Sequence, residues 1–180
     1  MTEPRGGHLV LVGLMGAGKT TVGARCAERL GRPFVDVDDV VETLGGRSVG
    51  EIFRTDGEGA FRELERQAVA DVCESPDPLV IACGGGAVVD PENRRRLRAA
   101  GLIVWLRAAP DELARRVADI GQSAPRPLLA TGEPVEVLGR LLDVRAPSYE
   151  AAADVSIETE GRTIDQVADA VLAELARCVA

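Results

Sequence analysis

The sequence predicts an α/β fold with three layers, in which a five-stranded parallel sheet is flanked by helices. Five short apolar runs recur along the 180 residues, and sequence with helical apolar spacing separates each run from the next. Residues 13–20 fit the pattern G-x-x-x-x-G-K-[ST] directly between the first apolar run and an amphipathic segment. Because parallel strands need crossover segments, this alternation and this loop together favour a P-loop fold.

The predicted elements follow one another in a regular order. Strands are expected at residues 8–12, 33–37, 79–83, 102–106 and 154–157, and the first helix at residues 21–30, where Gly31 is a stop signal. Two capping-box patterns and three prolines near first-turn positions mark other helix starts: Ser48-x-x-Glu51, Thr163-x-x-Gln166, Pro91, Pro110 and Pro134. A chain of this length suits one domain, so residues 1–180 should form a single unit.

Composition favours a small-molecule substrate. The net charge of −8 leaves no broad basic surface, so we expect no nucleic-acid partner. There is no long apolar span and no signal-peptide pattern, so we expect no membrane association and a cytoplasmic location. The four cysteines are widely spaced and only one histidine is present, which argues against a structural zinc site. We expect the chain to act as a monomer.

The loop after the first strand predicts a site for ATP and Mg²⁺. Its glycines let backbone N–H groups curl around phosphate oxygens, and the N-terminus of the following helix adds partial positive charge. Lys19, the only lysine, can reach the β- and γ-phosphates, while the Thr20 hydroxyl can ligate Mg²⁺. The predicted ATP-binding residues of the loop are Gly16, Ala17, Gly18, Lys19, Thr20 and Thr21. The alternative is a glycine-rich turn that matches the pattern by chance.

Two carboxylates follow the second predicted strand. The second strand is expected to end in Asp36-Val37-Asp38-Asp39, and strand alternation sends Asp36 and Asp38 to the same side while Val37 points away. One carboxylate could then hold a Mg²⁺-bound water while the other accepts a hydrogen bond or a proton from an acceptor hydroxyl. The alternative is an acidic helix start, because Asp is a good N-cap residue.

Three glycines and three arginines complete the candidate site. Gly84, Gly85 and Gly86 follow the third strand and suggest either close approach to a ligand or positive φ, the alternative being a flexible connector. Arg62 has Glu65 one helical turn on, where the carboxylate could fix the guanidinium. Arg126 stands in a proline-bearing loop that suits a mobile lid, and Arg145 stands at a predicted helix end before Pro147. Each arginine taken alone could instead be a surface residue.

Six motifs in order resemble those of shikimate kinase. They are the loop and its continuation at residues 13–21, Asp36-x-Asp38, Phe61-Arg62-x-x-Glu65, Gly84-Gly85-Gly86, Arg126-Pro127-Leu128-Leu129 and Arg145-Ala146-Pro147-x-Tyr149. The resemblance covers nearly the full chain. It implies one kinase domain at residues 1–180, with a substrate-binding subdomain near 36–65 and a mobile lid near 117–130. It further implies transfer of the ATP γ-phosphate to the 3-hydroxyl of shikimate, in the pathway to chorismate and the aromatic amino acids.

The resemblance also implies roles for individual residues. Asp36 would lie near Mg²⁺ together with Thr20, and Asp38 would bind the shikimate hydroxyls. Arg62 and Arg145 would bind the shikimate carboxylate, and a backbone group of Gly84, Gly85 or Gly86 would contact the ring hydroxyls. Arg126 would reach from the lid onto phosphate and act in catalysis with Lys19 and Asp38, and Arg116 is assigned to the adenine face. Ile164 stands where the family pattern has proline, which weakens the expectation about nucleotide preference.

Two other classes of function remain to be separated from this one. A gluconate kinase or a nucleoside monophosphate kinase would share the loop and the fold class, but the pair Arg62 and Arg145 with the three glycines argues against both. A switch GTPase or a non-catalytic nucleotide-binding module is the other class. The guanine signature N-K-x-D is impossible here, because the only asparagine, Asn93, is followed by Arg94.

Overall fold

Strands and helices alternate along most of the chain. The structure is a computed structural model that describes residues 7–120, 129 and 132–179. The first half contains β1 (His8–Val12), α1 (Lys19–Leu30), β2 (Phe34–Asp36), α2 (Val37–Gly45), α3 (Val49–Thr55) and α4 (Gly57–Cys73). The second half contains β3 (Val80–Ala82), a 3₁₀ turn (Ala87–Val89), α5 (Pro91–Ala100), β4 (Gly101–Arg107), α6 (Pro110–Ile120), α7 (Pro134–Ala152), β5 (Val155–Glu158) and α8 (Ile164–Val179).

The described strands form one parallel sheet, as predicted. Their order is β2-β3-β1-β4-β5, with Leu9 of β1 paired to Val80 of β3 on one side and to Leu102 of β4 on the other. Every residue of β1 and β3 is buried, because helices cover both faces of the sheet. The fold-class prediction is therefore confirmed, and each predicted strand lies within two residues of an observed one.

The strand order decides where a ligand can bind. β1 is central, and its neighbours β3 and β4 follow it only after long crossovers. The carboxyl ends of β1, β2 and β3 therefore meet at one edge, where the segments that leave them form a crevice. Residues 36–65, the predicted substrate-binding subdomain, make up the end of β2, α2, α3 and the first half of α4 beside that crevice.

The boundary between β2 and α2 differs from the prediction. The strand ends at Asp36 and the helix begins at Val37, so Asp38 lies in the first helical turn and not in the strand. The Asp36 carboxylate caps this helix, since its Oδ1 accepts from the Asp38 backbone N–H at 3.1 Å. The argument from strand alternation was thus wrong, although Asp36 and Asp38 do lie close together. The acidic helix start considered as the alternative exists, with Asp36 as its cap.

The helix that carries Arg145 also differs from the prediction. Arg145 was expected at a helix end before Pro147, whereas α7 continues through Pro147 to Ala152. The buried residues Leu138, Arg145 and Tyr149 share one face of this helix, and packing along that face outweighs the backbone hydrogen bond that proline cannot make. Among the described helices, none is both long enough and apolar enough to cross a membrane.

The predicted helix starts are present. Ser48 and Glu51 form the reciprocal pair of a capping box at α3, and Thr163 and Gln166 bond each other's backbone in the same way before α8. Pro91, Pro110 and Pro134 lie in the first turns of α5, α6 and α7.

Candidate active site

The predicted site residues converge on one cavity at the carboxyl edge of the sheet. Its volume is about 1420 Å³, enough for a nucleotide and a small acceptor together. Every predicted site residue within the described parts of the chain lines it: Gly16, Ala17, Gly18, Lys19, Thr20, Thr21, Asp36, Asp38, Arg62, Gly84, Gly85, Gly86, Arg116 and Arg145. Arg126 and most of the predicted lid lie outside the described residues.

The phosphate loop has the backbone that its sequence demands. Gly16 and Gly18 have φ values of 82° and 94°, a region that only glycine enters without strain. Gly18 caps α1 without a side chain of its own, and the first residues of that helix, Lys19 and Thr20, line the cavity. Lys19 folds back over the loop, where its Nζ donates to the Leu14 carbonyl at 3.0 Å. The loop thus combines helix-terminal N–H groups with an ammonium, as phosphate binding requires.

The two predicted metal ligands contact each other beside this loop. The Thr20 hydroxyl donates to Asp36 Oδ2 at 2.9 Å. Within residues 7–120, 129 and 132–179, no group of three or more His, Cys, Asp or Glu side chains could form a metal cage. Mg²⁺ with a nucleotide is usually held by one or two protein oxygens plus phosphate oxygens, and the hydroxyl and carboxylate present here match that donor set.

Asp38 lies in an environment that raises its affinity for a proton. Burial raises the pKa of this carboxyl to about 6, and the nearby Asp36 carboxylate adds to the effect while Lys19 opposes it. A carboxyl with a pKa near 6 is mostly ionised at neutral pH and is a stronger base than an ordinary aspartate. Asp38 can therefore accept a hydrogen bond or a proton from an acceptor hydroxyl.

The three glycines bring the backbone close to three charged side chains. None of them has positive φ. A Cβ added at Gly84 would lie 2.9 Å from Asp38 Oδ1, and one at Gly86 would lie 2.6 Å from Arg62 Nη1. A Cβ at Gly85 would lie 3.1 Å from Arg145 Nη1. Close approach is thus the reason for glycine at these positions, and the alternative of a flexible connector is not needed.

Arg62 is held by two carboxylates. Its Nη1 donates to Glu65 Oε2 at 2.7 Å, which confirms the predicted pair one helical turn apart, and its Nη2 donates to Glu58 Oε1 at 3.2 Å. The Glu65 side chain is 1% exposed, and its second oxygen, Oε1, has no hydrogen-bond partner. Burial raises the pKa of Glu65, with Arg62 and Arg145 opposing that shift. Glu65 therefore belongs to the site, although the sequence analysis gave it only a supporting role.

Arg145 is buried beside a tyrosine that the sequence analysis placed in a motif but not in the site. The Tyr149 hydroxyl donates to the Gly85 carbonyl at 2.5 Å, and Arg145 Nη1 lies beside the same glycine, 3.1 Å from the position of an added Cβ. Tyr149 is fully buried. Its position one turn after Arg145, as the only tyrosine of the chain, was the signal available in the sequence.

Arg116 connects the phosphate loop to the segment after β5. Its Nη1 donates to the Thr159 hydroxyl at 2.8 Å and approaches the Gly16 carbonyl at 3.4 Å, and its Nη2 donates to the Thr159 carbonyl at 3.1 Å. Thr159 is buried, and its hydroxyl donates to the Arg107 carbonyl at 2.9 Å. Thr159 belongs to residues 157–164, which resemble the adenine loop of the family, although no pattern within that segment marks Thr159 individually. The arrangement places Arg116 between the phosphate loop and the segment that leads to Ile164.

Comparison with known proteins agrees with this geometry. The sequence profile of the family described as shikimate kinase matches residues 15–176. The chain belongs to the shikimate kinase family. Among curated members, the shikimate kinase of Paramagnetospirillum magneticum is 49% identical over 154 residues, covering 86% of this chain and 76% of that protein. The shikimate kinase of Symbiobacterium thermophilum is 46% identical over 168 residues, covering 93% of this chain and 95% of that protein.

Solved structures of the family have the same architecture. The shikimate kinase from Acinetobacter baumannii in complex with shikimate has a TM-score of 0.88 at 35% identity, covering 94% of this chain and 93% of that one. The shikimate kinase from Aquifex aeolicus has a TM-score of 0.79 at 30% identity, covering 94% and 96%. A gluconokinase from Sinorhizobium meliloti has a TM-score of 0.62 at 21% identity, a likeness that shows the fold alone.

Proposed function

We propose that the chain transfers the ATP γ-phosphate to the 3-hydroxyl of shikimate, giving shikimate 3-phosphate and ADP. The observation that carries this proposal is the convergence of Asp38, Arg145 and Arg62 on three successive glycine backbones at the end of β3. It supplies two guanidinium groups and one carboxylate within a single pocket. Shikimate has a carboxylate at one end of its ring and hydroxyls at the other, which is the complementary pattern.

The proposed binding mode follows from the chemistry of these groups. A guanidinium binds a carboxylate through two parallel N–H groups, so Arg62 and Arg145 hold the shikimate carboxylate. Asp38 accepts from the ring hydroxyls, and a backbone group of Gly84, Gly85 or Gly86 contacts them from the other side. This orientation fixes which hydroxyl faces the phosphate loop.

The donor side of the reaction requires positioning and charge neutralisation. Lys19 and the backbone N–H groups at the start of α1 hold the β- and γ-phosphates in the proposed complex, and Arg116 lies beside the adenine. Thr20 and Asp36 would hold the Mg²⁺ that accompanies ATP, and the bound ion would neutralise charge on the phosphate oxygens. Asp38 orients the attacking hydroxyl and accepts its proton as the hydroxyl oxygen bonds to the γ-phosphorus. The bond between that phosphorus and the oxygen bridging to the β-phosphate breaks in the same transfer, and ADP leaves.

Three parts of the proposal rest on the sequence. Arg126, outside the described residues, contacts phosphate from a lid near residues 117–130 and acts with Lys19 and Asp38 in catalysis. Residues 36–65 form the substrate-binding subdomain. Action as a cytoplasmic monomer without nucleic-acid or membrane partners stays a prediction.

An ADP-release assay with a panel of acceptors tests the proposed function. ATP and Mg²⁺ are supplied with shikimate, gluconate, a nucleoside monophosphate or no acceptor. We expect rapid ADP release only with shikimate. A nucleoside monophosphate has no carboxylate for the pair Arg62 and Arg145, and gluconate has one but is an open chain, so no ring holds its hydroxyls in a fixed direction toward Asp38. Faster release with gluconate or the monophosphate would assign the chain to a neighbouring kinase activity. ADP release that no acceptor stimulates would contradict the proposed function.

A further inference from the structure

The Tyr149 hydroxyl joins two parts of the pocket that are far apart in sequence. It lies on α7 and donates to the Gly85 carbonyl at 2.5 Å, 64 residues away. Arg145 lies one turn earlier on α7, and its positive charge opposes the rise in the pKa of the same hydroxyl. The ideal Cβ position at Gly85 lies 3.1 Å from Arg145 Nη1 and 3.6 Å from the Tyr149 hydroxyl, so all three groups meet at one point.

The Gly85 carbonyl differs from the carbonyls of Gly84 and Gly86 in its hydrogen-bond partner. The Gly84 and Gly86 carbonyls are bonded locally, to the backbone N–H groups of Ala87 at 3.1 Å and Val89 at 3.0 Å. The Gly85 carbonyl instead accepts from a side chain on another element. Glycine has the largest conformational freedom of all residues, so three in succession need an external contact to hold one backbone conformation.

Tyr149 is itself rigid. Its ring is fully buried and stacks on Trp105 of β4, with ring centroids 5.2 Å apart and planes inclined by 28°. Burial raises the pKa of its hydroxyl to about 12, with Arg145 opposing that shift, so the group remains a hydrogen-bond donor throughout the neutral range. The hydroxyl is therefore a fixed point beside the Gly85 backbone and the Arg145 guanidinium, held by the stacking of its ring on Trp105.

We propose that Tyr149 is a positioning residue for the acceptor, which sets the place of the Gly85 backbone and of the Arg145 guanidinium through one hydroxyl. The inference rests on the proposed function, because it assumes that Arg145 and the glycine segment bind shikimate. Tyr149 is buried behind these groups and acts through them. Its hydroxyl should therefore affect acceptor binding and leave phosphate binding unchanged.

The variant Tyr149→Phe removes the hydroxyl and keeps the ring stacked on Trp105. We expect its KM for shikimate to rise roughly 5- to 100-fold, the range for a buried carbonyl that loses its donor. We expect kcat and the KM for ATP to stay at the wild-type values, since Lys19 and the phosphate loop are not touched. The matched control is Leu138→Val, which trims a fully buried side chain on the same face of α7, away from the pocket.

Thermal unfolding establishes that both variants fold, and steady-state kinetics give kcat and the KM values for shikimate and for ATP. An unchanged KM for shikimate in Tyr149→Phe, or equal losses for shikimate and ATP, would overturn the inference. An equal rise in the KM for shikimate in Leu138→Val would also overturn it. These outcomes differ from failure of the proposed function, in which the wild-type protein itself would show no shikimate-dependent ADP release.

A second measurement leaves the amino-acid sequence unaltered. Because the chain has a single tyrosine, growth on 3-fluorotyrosine labels position 149 alone and gives one ¹⁹F resonance. We expect this resonance to shift when shikimate is added, and to stay in place when a non-hydrolysable ATP analogue is added. A ¹⁹F chemical shift that does not change at saturating shikimate would contradict the positioning role.

Discussion

The Asp38 carboxylate lies so close to Gly84 that a Cβ on that glycine would be 2.9 Å from Asp38 Oδ1. The atom in the way is the end of a side chain, not the backbone. A methyl group at this position therefore displaces the proposed base while the fold remains intact. The same relationship holds between Gly86 and the Arg62 guanidinium.

Gly84→Ala and Gly86→Ala should separate function from stability. We expect Gly84→Ala to lower kcat by about tenfold to a hundredfold, since a displacement of about 1 Å at a reacting group has effects of that size. Gly86→Ala should instead raise the KM for shikimate, because it moves Arg62. The control is Gly59→Ala in α4, where an added Cβ meets no atom within 4 Å. Loss of activity in that control equal to the loss in Gly84→Ala would refute the explanation.

Asp38→Asn should inactivate the protein and stabilise it. Because burial raises the pKa of Asp38 from 3.8 to about 6, the folded state binds the proton more tightly than the unfolded state. Ionisation therefore destabilises the fold as pH rises from 3.8 to about 6, and the loss persists above that window. We expect the neutral amide to recover roughly 1–3 kcal/mol at pH 7.5, measured by urea unfolding. A variant less stable than wild type at that pH would refute the assignment of Asp38 as a destabilised base.

The wild-type pH profile gives a related check. In the free enzyme, kcat/KM for shikimate should fall as pH drops below about 6, because protonated Asp38 cannot accept the hydroxyl proton. A profile that is flat down to pH 4 would contradict the proposed base, provided that circular dichroism shows the protein still folded.

Arg62→Lys should weaken acceptor binding without leaving Glu65 uncompensated. Removing the cation altogether would leave a buried carboxylate unpaired, which mixes stability with function. Lysine keeps the positive charge but cannot bind a carboxylate through two parallel N–H groups. We expect roughly a tenfold or greater loss of shikimate affinity by titration calorimetry, with ATP affinity unchanged. Equal losses for both ligands would argue against the carboxylate-binding role.

His8 should make stability depend on pH at a site remote from catalysis. Its Nδ1 accepts from the Leu79 backbone N–H at 2.9 Å, and burial lowers the pKa of the imidazole below 6.5. The unfolded chain therefore binds a proton at His8 near pH 6.5, whereas the folded chain binds it only at lower pH. The contribution of His8 to the free energy of unfolding is complete above pH 6.5 and decreases below it. His8→Asn keeps an acceptor and does not titrate. Urea midpoints at pH 7.5 and 5.5 should differ less for the variant than for wild type; an equal difference would remove His8 from this explanation.

Local signals in the sequence were sufficient for most of the architecture. The apolar runs, the capping boxes and the prolines each act over a few residues, and the structure has them where they were predicted. The β2–α2 boundary could not be derived in this way, because the capping hydrogen bond from the Asp38 N–H to Asp36 competes with continuation of the strand. The end of α7 could not be derived from Pro147 either. The helix continues through this proline because its buried face packs against other elements of the fold.

Parts of the site depend on contacts that are distant in sequence. The phosphate loop and the pair Arg62 and Glu65 are local patterns, and both are present as predicted. Thr159 joins Arg116 across 43 residues, and Tyr149 joins Gly85 across 64 residues. No periodicity or short motif encodes such pairs, because the sheet order brings them together.

The position of the new phosphate tests the central claim most directly. The reaction with ATP, Mg²⁺ and shikimate is run to completion, and two-dimensional ³¹P–¹H correlation spectroscopy identifies the ring proton coupled to phosphorus. The proposed binding mode, with Asp38 opposite the pair Arg62 and Arg145, predicts that the transferred phosphorus correlates with one ring proton, the proton on carbon 3 of shikimate. A correlation to another ring position, or ADP and inorganic phosphate as the only new phosphorus species, would contradict it.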